Sequence, residues 1–312
     1  MFKRFSKNSS VQLVSVDLGE SQVKIPVFDK AGDSQGKTLL VTAGMDGDEY
    51  ASIDAAYRMI EELQTASFYG RIIIVPIVNT PGFEKEVSYN PLDGKYPKLV
   101  GIGKKDGSAS ERLIHWLVDS YAIHADMWLD LHGGNVTEKI APFLWAWQTR
   151  MKLVDVFIQS FCESYSPSFA IFESYFMYGK AAHLATRGCG YIYAESGGSS
   201  ERLDIDIEQH CLWVRNAIAT LGMTSSDNTI FIKVSLYKKY RQYTSKIQGM
   251  WFPEATKIRY IKKGELLGMV HSFDLSREEK IVAKEDAQVL WIKEGMKSSN
   301  KEILIAVAYS QW

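Results

Sequence analysis

From about Lys37 onward, short apolar runs end in small or polar residues and are separated by longer amphipathic stretches. Thr38-Leu39-Leu40-Val41-Thr42-Ala43-Gly44 predicts a buried strand, and the residues from Glu49 to Leu63 carry apolar side chains at helical spacing. Arg71 to Asn79 predicts a second strand, with Pro76 its one discordant residue because proline cannot donate to a sheet ladder. Residues 80–107, dense in Gly, Pro, Asn and Lys, read as loop, and a helix follows from about Ser110 to Ile123. Met127 to His132 and Gly190 to Glu195 are further strands, and Val11 to Asp17 alternates as an earlier one. Strands alternating with helices predict an α/β domain built on a mixed, mostly parallel sheet flanked by helices.

The texture changes near Thr229. Short β-like runs recur at Phe231-Ile232-Lys233-Val234, Gly249 to Phe252, Leu266 to Val270, Ala287 to Trp291 and Ile303 to Val307, punctuated by turn signals such as Lys263-Gly264-Glu265. They predict a smaller C-terminal all-β domain, a barrel or sandwich, over 228–312, after an α/β domain over 1–227. Charge follows the same division. The 312 residues hold 36 Lys+Arg and 37 Asp+Glu, yet residues from 228 onward hold 15 against 9, which leaves 21 against 28 before them.

A formal net charge of -1 gives no support to a nucleic-acid or acidic-membrane partner, since those are recognised by clustered positive charge. Three scattered cysteines, Cys162, Cys189 and Cys211, form neither a disulfide framework nor a C-x-x-C metal pair, which fits a reducing compartment. The polar, basic start of the chain runs straight into strand-like alternation and has no apolar secretory core. No window approaches the roughly 18 apolar residues of a membrane span. The expectation is a soluble, cytoplasmic protein; a homo-oligomer is compatible with the sequence, which does not set the number of copies.

Ligands of open α/β sheets bind beyond the carboxyl ends of the strands. The polar residues there are Asp46 and Glu49 after the first strand, Asn79 after the second, His132 at the third and Glu195 at the fourth. In Asp46-Gly47-Asp48-Glu49, the glycine lets the backbone bend so that both carboxylates can face one point. With His132 they make three ligands, and three protein ligands with one open position is the pattern of a catalytic zinc. Glu195 is left as the carboxylate that takes a proton from the attacking water. Taken singly, Asp46 and Glu49 also read as a helix cap and a first-turn acid, His132 as a core histidine and Glu195 as a turn carboxylate. The aromatic run Phe143-Leu144-Trp145-Ala146-Trp147 reads as core or pocket wall.

At these residues the chain resembles the succinylglutamate desuccinylase/aspartoacylase family, relatives of the zinc carboxypeptidases. The resemblance is carried in order by Gly44 to Glu49, Asn79 to Phe83, Asn90-Pro91-Leu92-Asp93-Gly94, Gly107 to Leu113, Ala125 to Gly133 with its Asp130-Leu131-His132, and Tyr193-Ala194-Glu195-Ser196-Gly197-Gly198. Lys262 to Gly268 is similar to a hairpin of the family's C-terminal β domain. The resemblance implies a carboxypeptidase-like fold and one divalent metal per chain, Zn²⁺ in the family, on Asp46, Glu49 and His132, with Glu195 as catalytic base. It also implies a small N-acylated substrate whose amide bond is hydrolysed. Two departures stand out. Asp46 replaces the family's first histidine ligand, which makes the site harder and brings Mn²⁺ into range. The family's carboxylate-binding arginines are replaced: Ser88 stands near one position, and Tyr96-Pro97-Lys98 takes the place of the usual N-R. Lys98 can hold an anion as a point charge without bidentate geometry, and with Asn79 it is the expected substrate-binding pair. The same departures raise a second reading, a family member that binds a small ligand or partner without hydrolysis; a third, a carboxypeptidase for small peptides, differs from the first only in pocket size.

Overall fold

The computed structural model describes residues 10–173, 179–224, 234–254 and 258–309. The run at Phe231-Ile232-Lys233 and the expected 227/228 boundary lie outside the described residues. The element order is β1 (Val11–Asp17), β2 (Gln22–Ala31), β3 (Ser34–Thr42), α1 (Tyr50–Leu63), β4 (Tyr69–Val75), α2 (Thr80–Glu84), α3 (Ala109–Ser120), β5 (Met127–His132), β6 (Glu138–Trp147), α4 (Lys152–Tyr165), β7 (Phe169–Glu173), α5 (Gly179–Ala185), β8 (Gly190–Gly198) and α6 (Asp204–Thr220). The remaining strands are β9 (Ser235–Tyr237), β10 (Lys239–Thr244), β11 (Gly249–Pro253), β12 (Tyr260–Ile261), β13 (Leu266–His271), β14 (Glu278–Val282), β15 (Ala287–Lys293), β16 (Lys297–Ser298) and β17 (Ile303–Tyr309).

Ten strands of a thirteen-stranded sheet run β1-β2-β4-β3-β5-β8-β6-β15-β17-β10, with β7, β9 and β12 paired off this path, and the centre, β4-β3-β5-β8, is parallel. The discordant Pro76 is accommodated simply: β4 stops at Val75, so no ladder bond is lost. β5 is buried at every residue, and strict alternation sends its side chains to two cores. Met127, Leu129 and Leu131 face one layer with residues of α1, α4 and α6, whereas Trp128 faces the other with residues of α3 and α5. Each fully buried aliphatic side chain contributes about 1.5–3 kcal/mol, so runs such as Ile72-Ile73-Ile74-Val75 hold the sheet between its helices.

The C-terminal region is all-β among its described residues and has its own core around Tyr243, Trp251, Leu267, Val289 and Leu304. It is hydrogen-bonded to the α/β part. One edge of β6 pairs with β8, and the other is shared between β7 and β15, with Trp291 opposite Ile140. The large sheet therefore runs on through β15, β17 and β10, and a second antiparallel sheet, β14-β13-β11-β16, stands apart from it. Phe143, Phe169, Leu290 and Ala306 pack in the seam.

Candidate active site

The site is built where β3, β5 and β8 end. Beyond β3 the chain turns through Gly44, at φ 61°, and Gly47, where an added Cβ would fall 2.2 Å from the carbonyl carbon of Gly82. That close approach brings Asp46 and Glu49 back over the sheet. Glu49 sits at the N-cap of α1, but its side chain makes no capping bond. Its Oε2 instead lies 3.0 Å from Nδ1 of His132, at the end of β5. The parallel register of β5 and β8 sets His132 beside Glu195. All four side chains, Asp46, Glu49, His132 and Glu195, are buried.

Lys98, on the short 3-10 turn Pro97–Leu99, directs its ammonium onto Asp46 Oδ2 and lies 4.0 Å from Glu49 Oε1. Asp46 Oδ1 is buried with no hydrogen-bond partner. Asn79 stands elsewhere: its Oδ1 accepts from the backbone N–H of Gly82 at 3.1 Å, capping α2, and it does not line the cavity described below. Ser88 donates to Asp48 Oδ1 at 2.8 Å.

A buried network stands behind His132. Asp130 Oδ2 is 3.3 Å from His132 Nε2, close enough for charge attraction, though Nε2 is not aligned for a hydrogen bond. Asp130 accepts from Thr42 Oγ1 at 2.5 Å and from the Tyr191 hydroxyl at 2.8 Å, and Trp128 Nε1 donates to Thr42 at 2.6 Å. The ammonium of Lys180 donates to the Tyr191 hydroxyl at 3.3 Å and lies 5.3 Å from the ring centres of Trp128 and Tyr191. Sequence reasoning gave Asp130, Tyr191 and Lys180 no role. The signal available was the alternation that puts Asp130 on the face of His132, and Tyr191 on the face of Glu195.

Burial disfavours charge on these carboxylates. It pushes Glu195 up to about 8, with His132 opposing and Glu49 adding to the rise, and Asp46 up to about 6 against the pull of Lys98. For His132 burial works against the imidazolium, but the carboxylates of Asp130 and Glu49 outweigh it and hold the pKa well above the usual value. Asp130 stays below the ordinary carboxylate range in spite of its burial, chiefly because of His132. Burial lowers Lys180 to about 8, with Asp130 opposing.

Asp46, Glu49, Lys98 and Glu195 open onto a cavity of about 560 Å³, a size suited to a small molecule. Its walls include Tyr96, Trp145, Trp147 and Tyr193, and the C-terminal region adds Tyr240, Gln242, Trp291 and Ile303. Trp145 and Trp147 are thus pocket wall, and the C-terminal strands complete the site. A second cavity of about 560 Å³, near Met151, Leu153 and Phe157, holds only Asp126, Lys37 and Lys152 as charged groups, and Asp126 is already paired with Lys37 at 2.7 Å.

The folded chain superposes on solved mixed α/β proteins of one kind. The product-bound ectoine utilization protein EutE (DoeB) from Ruegeria pomeroyi matches with a TM-score of 0.84 at 18% identity, over 97% of this chain and 100% of that one. A succinylglutamate desuccinylase/aspartoacylase from Rhodobacter sphaeroides gives 0.83 at 18% identity, over 99% and 98%. An aspartoacylase family protein from Mesorhizobium loti gives 0.80 at 23% identity, over 97% and 95%. These define the fold class, a mixed α/β fold shared over nearly the whole chain. Residues 35–191 match the succinylglutamate desuccinylase/aspartoacylase catalytic domain, and the chain belongs to that family. N-alpha-acetyl-L-2,4-diaminobutyric acid deacetylase from Halomonas elongata is 36% identical over 109 residues. That stretch covers 35% of this chain and 32% of the relative.

Proposed function

We propose that the chain is a metal-dependent deacylase that hydrolyses the amide bond of an N-acyl amino acid or a related small acylated amine. The observation that carries this reading is the meeting of Asp46, Glu49 and Glu195 on one aromatic-walled cavity, with His132 buried behind them against Glu49 and beside Glu195. Family membership and the acyl-amine chemistry named in the Halomonas relative support the reaction class.

The residues suit a divalent cation in kind. Asp46, Glu49 and His132 offer oxygen and imidazole donors, Asp46 Oδ1 is a buried acceptor without a partner, and Asp130 backs the imidazole as carboxylates behind metal-ligating histidines do. Among the described residues no three His, Cys, Asp or Glu side chains already stand as a coordination shell. The ammonium of Lys98 lies within the group that such a shell would use. Zn²⁺ fits the family, and the two carboxylates bring Mn²⁺ into range. When bound, the cation would polarise the acyl carbonyl and acidify water. With a cation bound nearby to offset the burial that raises its pKa, Glu195 would be ionised, take the proton from the attacking water and pass it to the leaving amine nitrogen. The aromatic walls hold the substrate and keep bulk water from the carboxylates. Three free, buried cysteines suit a cytoplasmic setting.

The test loads purified protein with Zn²⁺, Mn²⁺ or Co²⁺ and assays release of free amine from a panel of N-acyl amino acids, acylated amines and short peptides. Turnover that depends on the metal and is lost in Asp46→Ala and His132→Ala is the expected result. The ion pair between Lys98 and Asp46 favours one rival, a family member that binds a small ligand without hydrolysis. Saturable binding with no turnover under any metal would establish it.

A further inference from the structure

Lys98 is where the sequence departs from its family and where the structure departs from a ready metal site. We infer that the Lys98 ammonium is a tethered competitor for the divalent cation: the Lys98–Asp46 pair and a metal on Asp46 exclude one another, and loading expels the lysine side chain into the cavity. The inference rests on the metal reading above and concerns how that site is filled.

Three observations carry it. First, the ammonium takes Asp46 Oδ2 directly and stands 4.0 Å from Glu49 Oε1, so it already neutralises two of the three groups that a cation would need. A divalent ion bound to Asp46 would lie within a few ångströms of that ammonium, and two positive charges at such range in a buried site repel strongly. Second, the pair is unevenly enclosed. The Asp46 side chain is 3% exposed and that of Lys98 is 29% exposed, so the carboxylate is enclosed and the lysine, whose stem borders the open cavity, is the partner with room to move. A lysine has a flexible four-carbon stem and no preferred planar geometry, and it can move without disturbing the backbone turn that carries it. Third, the cavity offers the expelled group another anion. Glu138 lines the same cavity, and Lys98 is the cation that acts most strongly on its carboxylate.

The substitution of histidine by aspartate then has a physical consequence. An imidazole in place of Asp46 offers the ammonium no anion at that position and leaves only Glu49, 4.0 Å away, whereas a carboxylate holds it directly. Asp46 both retains a metal donor and creates the contact that opposes the metal.

The experiment compares Zn²⁺ and Mn²⁺ affinity of the wild type, Lys98→Met and Lys98→Arg by chelator competition. Lys98→Met should bind about tenfold to a hundredfold more tightly, the range expected when a charge-assisted hydrogen bond no longer has to be broken. Lys98→Arg, which keeps the charge, should stay weak. In the wild type, reductive methylation read by peptide mass spectrometry should show Lys98 protected without metal and several-fold more reactive with it, while exposed lysines do not change. Equal, measurable affinity in wild type and Lys98→Met, or Lys98 reactivity that metal does not alter, overturns the inference and leaves the metal site standing. Failure of all three proteins to bind either metal overturns the metal reading and the inference together.

Discussion

Replacing Asp130 by Asn tests whether the network behind His132 is held together by charge. The carboxylate is fully buried and accepts from Thr42 at 2.5 Å and from Tyr191 at 2.8 Å, with His132 Nε2 at 3.3 Å. An asparagine oxygen at the Oδ2 position can still accept from Tyr191. Its amide then faces Thr42 Oγ1, which already accepts from Trp128 Nε1 at 2.6 Å, so the threonine hydroxyl loses its acceptor. Lys180 and His132 also lose the anion that both of them feel. Removing one partner from a buried charged network typically costs about 3–5 kcal/mol, and that is the expected loss for Asp130→Asn at pH 7. Urea unfolding followed by tryptophan fluorescence in the presence of chelator measures it. The pH sign is fixed by the low pKa of Asp130. Its contribution is complete above the unfolded value of about 3.9 and disappears as pH falls through the lower folded value. The gap between variant and wild type should therefore hold at pH 5–7 and close only in stronger acid. Metal affinity should fall by about 10–100-fold as well, because His132 loses its backing carboxylate. A stability loss below about 1 kcal/mol would show that the network carries no net charge energy and would refute this account.

Glu195→Gln should retain metal by elemental analysis and lose turnover in the amine-release assay; retained turnover removes Glu195 from the base role. Metal-free protein should lose stability as pH rises toward 8. Glu195 and Asp46 have folded pKa values raised to about 8 and about 6, so ionisation in the unfolded chain from about pH 4 upward draws the protein open. His132 acts in the same direction, since its stabilisation is complete below about 6.5 and fades as pH climbs through its higher folded value. Melting temperatures in chelator from pH 5 to 8 check this, and a flat profile contradicts it. Trp291→Ala should raise KM more than it lowers kcat, because Trp291 lines the cavity from the C-terminal region and has no place among the acid and base groups. Gly47→Ala should weaken metal binding without unfolding the chain, read by chelator competition and circular dichroism, because its methyl group would displace the turn carrying Asp46 and Glu49 away from Gly82.

Much of this protein was legible in one dimension. The buried runs at Leu39 to Thr42, Ile72 to Val75 and Met127 to His132 announced parallel strands because strands covered on both faces must be apolar almost throughout. Polar residues at their carboxyl ends announced a site, because a polar side chain that ends an apolar run is set at the rim of the sheet. Strand periodicity also fixed that Asp130 and His132 share a face. Distances between segments remote in sequence were decided only by the fold. Taken alone, Glu49 reads as a first-turn acid of a helix; the tertiary structure puts it at the N-cap and turns its side chain onto His132. Asn79 and Lys98 looked alike as substrate contacts, yet one caps α2 and the other reaches across 52 positions to Asp46. The β-like runs after residue 228 predict a smaller β domain without saying what it touches; hydrogen bonds from β6 to β15 join part of that region to the main sheet and bring its side chains to the cavity. Local pattern records which face a residue occupies. Which partner it meets there depends on register and chain crossing, and those are set by packing of the whole molecule.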